Sequence, residues 1–198
     1  KIGIPTSIKY LKLLGLIDEE NPSKDNFVEA SENKTHNDEN LAALALGGMT
    51  KGVSPLEMTA AYAAIANDGV YIEPTIYTKV LDKDGNIVLD KEPKQRRVVS
   101  PQIAYIMKDV LRSTAYEHTG GNAVVKGQAT AGKTGTTDYK ADFWFVGFSN
   151  YYATGTWMGN DSPKITIPQS SWLAAKLWGH IMTKIHQDKE SKPQFAEP

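Results

Sequence analysis

Residues 131–137 read Ala-Gly-Lys-Thr-Gly-Thr-Thr, and residues 142–148 read Asp-Phe-Trp-Phe-Val-Gly-Phe. The second segment is rich in residues that favour β-strands, and the first places a cation and hydroxyls on a strand-like segment. A third strand-like segment follows a short turn at residues 149–151, so we expect the last two strands to be antiparallel. The predicted strands are residues 130–137, 142–149 and 152–159.

Capping signals predict helices on both sides of these strands in the sequence. Ser54, Pro55 and Glu57 form a capping-box pattern that opens an alanine-rich helix. The dipeptide Ser100-Pro101 repeats this start signal, and two serines at residues 170–171 precede a last, long helix. We therefore expect helices over residues 56–67, 101–116 and from residue 172 onward.

The rest of the chain adds smaller elements. An amphipathic helix is predicted over residues 5–16 and a hairpin around a turn at residues 83–86. Residues 18–40 are polar and predict a long surface loop, with a short strand at residues 26–29. Together the elements predict an α+β fold in which an antiparallel β-sheet is covered by helices.

Two predicted helices carry large apolar residues along one side. In the helix after Ser100 these residues are Ile103, Ile106, Met107, Val110 and Leu111. In the last helix they are Leu173, Leu177, Ile181 and Ile185. The polar end of the chain, residues 187–198, is predicted to be a frayed tail.

Composition excludes several function classes. The 198 residues contain 22 basic and 23 acidic side chains, a net charge of −1 that argues against a nucleic-acid partner. There is no cysteine, which removes disulfides and thiol catalysis. The histidines are His36, His118, His180 and His186, and their spacing does not suggest a metal site, so we expect neither a metal nor another cofactor.

The strand at residues 131–137 carries the chemistry. Side chains alternate along a strand, so Lys133 and Gly135 should share one face while Thr134 and Thr136 share the other. An ammonium beside hydroxyl donors is suited to binding a carboxylate ligand, or to assisting a serine that gains or loses a proton during the reaction. For Lys133 and the threonines to serve one ligand, the ligand must meet the strand at its edge.

The sequence resembles the C-terminal portion of the transpeptidase domain of class A (bifunctional) penicillin-binding proteins. The Lys-Thr-Gly of residues 133–135 matches the third motif of those proteins and of serine β-lactamases. Residues 44–48 (Leu-Ala-Leu-Gly-Gly), 52–58 (Gly-Val-Ser-Pro-Leu-Glu-Met) and 61–69 (Ala-Tyr-Ala-Ala-Ile-Ala-Asn-Asp-Gly) resemble the family's helical signature. The resemblance covers nearly the whole chain and implies a partial penicillin-binding/serine β-lactamase-like fold, with residues 1–186 as the C-terminal portion of the domain.

The resemblance implies roles for four residues. Lys133 and Thr136 would be catalytic: Lys133 would bond a serine of the second motif, and the Thr136 N–H would form half of an oxyanion hole. Lys133, Thr134, Gly135 and Thr136 would bind the substrate, with the threonine hydroxyls on its carboxylate. Asp138 and Tyr139 follow directly and are candidates for the border of the site.

The activity implied is that of a peptidoglycan D,D-transpeptidase, which cross-links stem peptides through an acyl-serine intermediate and binds β-lactam antibiotics. Two alternatives stay open. The first is a D,D-carboxypeptidase or β-lactamase-type hydrolase on the same fold. The second is a β-lactam sensor that is acylated without turnover.

The resemblance also implies two motifs before Lys133, Ser-x-x-Lys and Ser-x-Asn. Residues 31–34 (Ser-Glu-Asn-Lys) match both by letter, but a single serine cannot be both nucleophile and proton relay, and its segment is loop-like. We therefore expect the nucleophile outside this chain, on an upstream half of the domain whose absence would leave a large apolar surface exposed. The implied location is the extracytoplasmic face of a bacterial cytoplasmic membrane, with an upstream anchor.

Overall fold

A computed structural model describes residues 2–18, 20, 25–117, 120–160, 162 and 165–198. The helices are α1 (Ile4–Leu13), α2 (Leu41–Leu46), α3 (Pro55–Ala66), α4 (Pro101–Glu117) and α5 (Trp172–Ile185). The strands are β1 (Val70–Ile72), β2 (Lys79–Leu81), β3 (Ile87–Asp90), β4 (Gln95–Arg97), β5 (Ala131–Thr136), β6 (Asp142–Phe148) and β7 (Ala153–Gly159). His118 and residues 19 and 21–24 of the predicted loop lie outside the described residues.

The central sheet is antiparallel and has the order β5-β6-β7. Lys133 lies opposite Val146, which lies opposite Gly155. The three strands and their direction were predicted from the sequence and are confirmed, with boundaries that differ by at most one residue. The α+β fold class is also confirmed.

Helices cover both faces of this sheet. Leu111 of α4 packs with Ala131 and Phe148, so α4 lies on one face. Phe145 points to the opposite face, where its ring lies 5.0 Å from that of Trp178 in α5. Because neighbouring strand residues point to opposite faces, β6 can contribute to both hydrophobic layers.

Helix α3 begins as the sequence predicts. The Ser54 side chain accepts a hydrogen bond from the Glu57 N–H at 3.2 Å, and the Glu57 carboxylate accepts one from the Ser54 N–H at 2.7 Å. Its alanines permit close packing on β7, where a side chain at Gly155 would collide with the Thr59 hydroxyl.

Helix α4 turns most of its large apolar residues outward, and α5 exposes an apolar side although its Trp178 and Met182 are buried. In α4 the buried residues are Ala104, Lys108, Leu111 and Ala115, so Leu111 does not belong to the predicted stripe. Ile103, Ile106, Met107 and Val110 are exposed, and so are Leu177, Ile181 and Ile185 of α5. The expected exposed apolar surface is therefore present in the described part of the chain.

Two small sheets and a loop complete the body. Strands β1 and β4 pair, and the predicted hairpin is present as β2 and β3. The short strand expected at residues 26–29 is wrong. Instead, both main-chain groups of Val28 bind Asp38. The Val28 N–H donates to the Asp38 carboxylate, and the Val28 carbonyl accepts from the Asp38 N–H, both at 2.8 Å.

The C-terminal segment, residues 187–198, lies against the body rather than fraying. The Ala129 N–H donates to the Lys192 carbonyl at 2.7 Å, and the Asn150 amide donates to the carbonyls of Lys192 and Gln194. The Phe195 ring lies 5.6 Å from that of Phe148. The expectation of a frayed tail is therefore wrong, because contacts far away in sequence order this polar segment.

Candidate active-site wall

Strand β5 forms one edge of the central sheet in the part of the chain that the structure describes. The Thr137 N–H donates to the Asp142 carbonyl at 3.2 Å, in register with the β5–β6 pairing. Hydrogen-bonding direction alternates along an antiparallel strand. The main-chain N–H and C=O groups of Thr134 and Thr136 therefore point away from β6, toward the open edge.

The ammonium of Lys133 lies at this edge. Its Nζ donates to the Thr134 carbonyl oxygen at 3.0 Å and approaches the Thr134 hydroxyl at 3.4 Å. Among the described ion pairs none joins Lys133 to a carboxylate. The edge thus presents a positive charge beside main-chain groups, which suits an anionic or acyl ligand.

The two threonines of the motif differ in accessibility. Thr136 is exposed, whereas Thr134 is only 8% exposed. Both lie on the face opposite Lys133, as the alternation predicts. The Thr136 hydroxyl is therefore open to solvent, while Thr134 presents mainly its main chain at the edge.

The glycines beside Lys133 meet different surroundings. A Cβ on Gly135 would lie 3.2 Å from the Trp144 Cβ, which is tight. A Cβ on Gly132 would lie 2.7 Å from both the Phe145 ring and the Val146 carbonyl oxygen. Gly132 is thus required for packing, a role that sequence reasoning missed although the residue belongs to the quoted segment.

The turn that follows β5, residues 137–142, is held by side-chain hydrogen bonds. The Thr137 hydroxyl donates to the Asp142 carboxylate and accepts from the Asp142 N–H, both at 2.9 Å, and the Trp157 indole donates to the same carboxylate at 2.9 Å. Within the turn Tyr139 and Lys140 both have positive φ, and Tyr139 is 87% exposed. Sequence reasoning missed the Thr137–Asp142 clamp, for which the only signal is a threonine and an aspartate flanking a turn.

The serine-containing match at residues 31–34 lies in a surface turn. Ser31 is exposed and donates to the Glu29 carboxylate at 3.0 Å. The Asn33 side chain accepts hydrogen bonds from the N–H groups of Thr35 and His36. These are local turn contacts, and Ser31 does not begin a helix.

A second serine, Ser149, contacts a histidine. Its Oγ lies 2.7 Å from Nε2 of His186, and both residues are buried. The same Oγ accepts hydrogen bonds from the N–H groups of Tyr151 and Tyr152, at 3.0 and 3.3 Å. This pair ties the β6–β7 turn to the end of α5 and is closed to a substrate.

Within the described residues no group of three or more metal-ligating side chains converges. No helix there is both long enough and apolar enough to span a bilayer.

Comparison with known proteins identifies the family. The model of the penicillin binding protein transpeptidase domain matches residues 1–160. Penicillin-binding protein 1A of Clostridium botulinum is 36% identical over 188 residues, which are 94% of this chain and 21% of that protein. The corresponding protein of Aquifex aeolicus is 41% identical over 122 residues, 62% of this chain and 16% of that protein. The chain thus spans about a fifth of the length of these relatives.

Solved structures show the same fold. Penicillin binding protein 3 of Mycobacterium tuberculosis, complexed with ampicillin, has a TM-score of 0.75 and 25% identity, and the match covers 100% of this chain and 49% of that one. Penicillin-binding protein 1A of Haemophilus influenzae has a TM-score of 0.73 and 23% identity, with 99% and 33% covered. The chain therefore belongs to the family of penicillin-binding protein transpeptidase domains.

Proposed function

We propose that this chain supplies the Lys-Thr-Gly wall of a peptidoglycan D,D-transpeptidase that cross-links stem peptides through an acyl-serine intermediate. The observation that carries the proposal is the Lys133 ammonium beside Thr134 at the open edge of β5, in a chain of this family. In this proposal residues 1–186 are the C-terminal portion of the domain, and residues 187–198 are its tail.

Lys133 acts through its charge. Without a carboxylate partner among the described ion pairs, its ammonium attracts the substrate carboxylate and can donate to the serine of a Ser-x-Asn motif. That serine relays a proton, so a nearby cation lowers the cost of the negative charge that develops there.

Thr136 acts through two groups. Its N–H points to the open edge and donates to the oxygen of the tetrahedral intermediate, a type of contact worth roughly 10²–10³ in rate. Its exposed hydroxyl donates to the substrate carboxylate. Thr134 contributes main-chain groups, and Gly135 leaves room for the substrate backbone.

The reaction has two balanced steps. A serine of a Ser-x-x-Lys motif on the upstream half attacks the D-Ala-D-Ala carbonyl, its proton passes to a base, and the terminal D-Ala leaves as the protonated amine. The amine of a second stem peptide then attacks the acyl-serine ester, and the serine regains a proton.

The upstream half packs against the exposed apolar side of α4 in this proposal. Ile103, Ile106 and Val110 are each at least half exposed, an arrangement typical of a surface that another segment covers. We place the assembled domain on the extracytoplasmic face of the cytoplasmic membrane, held by an anchor upstream.

The test is acylation of the full-length protein by a fluorescent penicillin. Lys133→Ala should lower the second-order acylation constant by roughly 10- to 100-fold, because a hydrogen bond to a charged group contributes ~1.5–3 kcal/mol, whereas Lys126→Ala, at an exposed lysine just before β5, should leave it unchanged. Equal acylation of the Lys133→Ala and unmodified proteins would contradict the proposal. Release of D-Ala that depends on an amine acceptor supports transpeptidation, and release in water alone indicates a hydrolase.

A further inference from the structure

His186 sits where three parts of the fold meet. It ends α5, it contacts the β6–β7 turn through Ser149, and it immediately precedes the C-terminal segment. Its side chain is buried, and its role does not follow from the proposed reaction.

The hydrogen bonds of the ring define its protonation state. Nδ1 lies 2.6 Å from the Met182 carbonyl oxygen. A carbonyl can only accept, so Nδ1 carries a hydrogen. Nε2 faces the Ser149 hydroxyl, whose two lone pairs are engaged by the N–H groups of Tyr151 and Tyr152. The hydroxyl hydrogen therefore points to Nε2, which must accept it.

When His186 is neutral, each hydrogen-bond donor around the ring has its own acceptor. When His186 is protonated, this is no longer so. A proton on Nε2 would face an oxygen whose lone pairs are already used, and a buried donor without an acceptor is destabilising. Protonation is thus compatible with the burial of the ring only if Ser149 gives up its contacts to the turn.

Two tyrosines and two lysines surround this end of α5. The rings of Tyr151 and Tyr152 stand edge-on to His186, at 5.8 and 5.3 Å between centroids. Lys189 lies 5.9 and 5.5 Å from the centroids of the two tyrosines, and Lys192 lies 4.8 Å from that of Tyr151. A hydrogen bond with the Tyr152 side chain raises the pKa of Lys189. Asp188 is exposed, and no ion pair with His186 occurs among the described residues.

The C-terminal segment depends on the same turn. Asn150 holds the carbonyls of Lys192 and Gln194, and the Tyr151 hydroxyl donates to the Glu190 carbonyl at 3.1 Å. Lys192 in turn accepts from the N–H of Ala129, two residues before β5. Movement of the turn would therefore break the contacts that Asn150 and Tyr151 make with the segment, which Lys192 links to Ala129.

We propose that His186 and Ser149 form a proton-sensitive latch that holds the C-terminal segment against the body when His186 is neutral and releases it when His186 is protonated. The latch is independent of the proposed enzymatic function, since it joins structural elements and touches no site residue.

The test is hydrogen exchange of the intact protein at pH 7.5 and 5.5, corrected for intrinsic exchange rates. In the unmodified protein, protection of the Ala129 and Tyr151 amides should fall about tenfold at pH 5.5, the limit for the uptake of one proton by an imidazole over this range. His186→Gln keeps a donor and an acceptor but cannot titrate in this range, so its protection should be the same at both pH values. His180→Gln, at an exposed histidine of α5, should behave like the unmodified protein.

A second measurement needs no variant. Histidine ring resonances followed by NMR give the midpoint of His186 protonation, and the loss of Ala129 protection should share that midpoint. Protonation of His186 with full protection retained would overturn the latch. An equal loss of protection in His186→Gln would overturn it as well.

Discussion

The ammonium nitrogen of Lys133 lies 3.0 Å from the main-chain carbonyl oxygen of Thr134, its neighbour in the edge strand β5. The side chain of Lys133 starts on one face of the sheet, and this contact brings its charge to the edge, where the N–H of Thr136 also points. The Lys133 ammonium and the Thr136 N–H therefore both lie at the open edge of β5, although the side chains of these two residues point to opposite faces of the sheet.

Loss of the Thr136 hydroxyl should weaken acylation while preserving the fold. We expect Thr136→Val to lower the second-order constant for penicillin acylation of the full-length protein roughly tenfold or more, because a hydrogen bond to a charged group contributes ~1.5–3 kcal/mol. Thr183→Val, at an exposed threonine of α5, is the matched control and should have no effect. Unchanged acylation kinetics in Thr136→Val would exclude this hydroxyl from carboxylate binding.

Gly132 should tolerate no side chain. A Cβ there would lie 2.7 Å from the Phe145 ring and from the Val146 carbonyl, so Gly132→Ala should lower the free energy of unfolding by about 1–3 kcal/mol. A Cβ at Gly48 would meet nothing within 4 Å, and Gly48→Ala should change it by less than ~0.5 kcal/mol. Urea denaturation measures both, and equal effects would mean that the close packing under β5 is not as described.

Asp38 should be essential for the loop that precedes α2. Its buried carboxylate accepts hydrogen bonds from the Val28 N–H at 2.8 Å and from the Thr50 N–H and hydroxyl at 2.6 and 2.7 Å. Asp38→Ala should cost at least ~2 kcal/mol in urea denaturation. Asp84, in an exposed ion pair with Lys83, is the control, and its replacement by Ala should cost only about 0–1 kcal/mol. A cost for Asp38→Ala as small as that of the control would contradict the assigned role.

The β2–β3 hairpin should loosen in acid. Hydrogen bonds from the Asn86 side chain and main chain lower the pKa of Asp82 from its ordinary value of 3.8. A lowered pKa means that this stabilisation is fully present above that ordinary value and is lost as the pH falls through the lowered one. Hydrogen exchange of the main-chain N–H of Asn86, which donates to Asp82 at 2.9 Å, should therefore accelerate below pH ~3.8 beyond its intrinsic pH dependence. Asp82→Asn should remove that acceleration. If the exchange of Asn86 still accelerated in this variant, a group other than Asp82 would be responsible.

Local patterns predicted the parts of the fold that depend on near neighbours. The strands around residues 131–159 and the Ser54–Glu57 capping box are set by side chains a few residues apart, so the sequence suffices. The Lys-Thr-Gly motif at residues 133–135 was also recognised from neighbouring residues. Its position at the edge of the sheet could not be, because it depends on how β5 pairs with β6.

Long-range partners decided the parts that the sequence did not predict. Val28 lies in a strand-like segment, yet Asp38, ten residues on, takes both of its main-chain groups. Phe195 is anchored by Phe148, far upstream in the chain. In α4, both Val110 and Leu111 are apolar, and Leu111 is the buried one because it packs against Ala131 and Phe148 of the sheet.

The central claim is that this chain contributes the wall of the site and that the acylated serine lies outside it. Peptide mapping by mass spectrometry, after the full-length protein has been acylated by penicillin and digested, locates the adduct directly. We predict a single adduct on a serine upstream of residue 1 and none within the 198 residues. An adduct on Ser31, or on any other serine of this chain, would contradict the account.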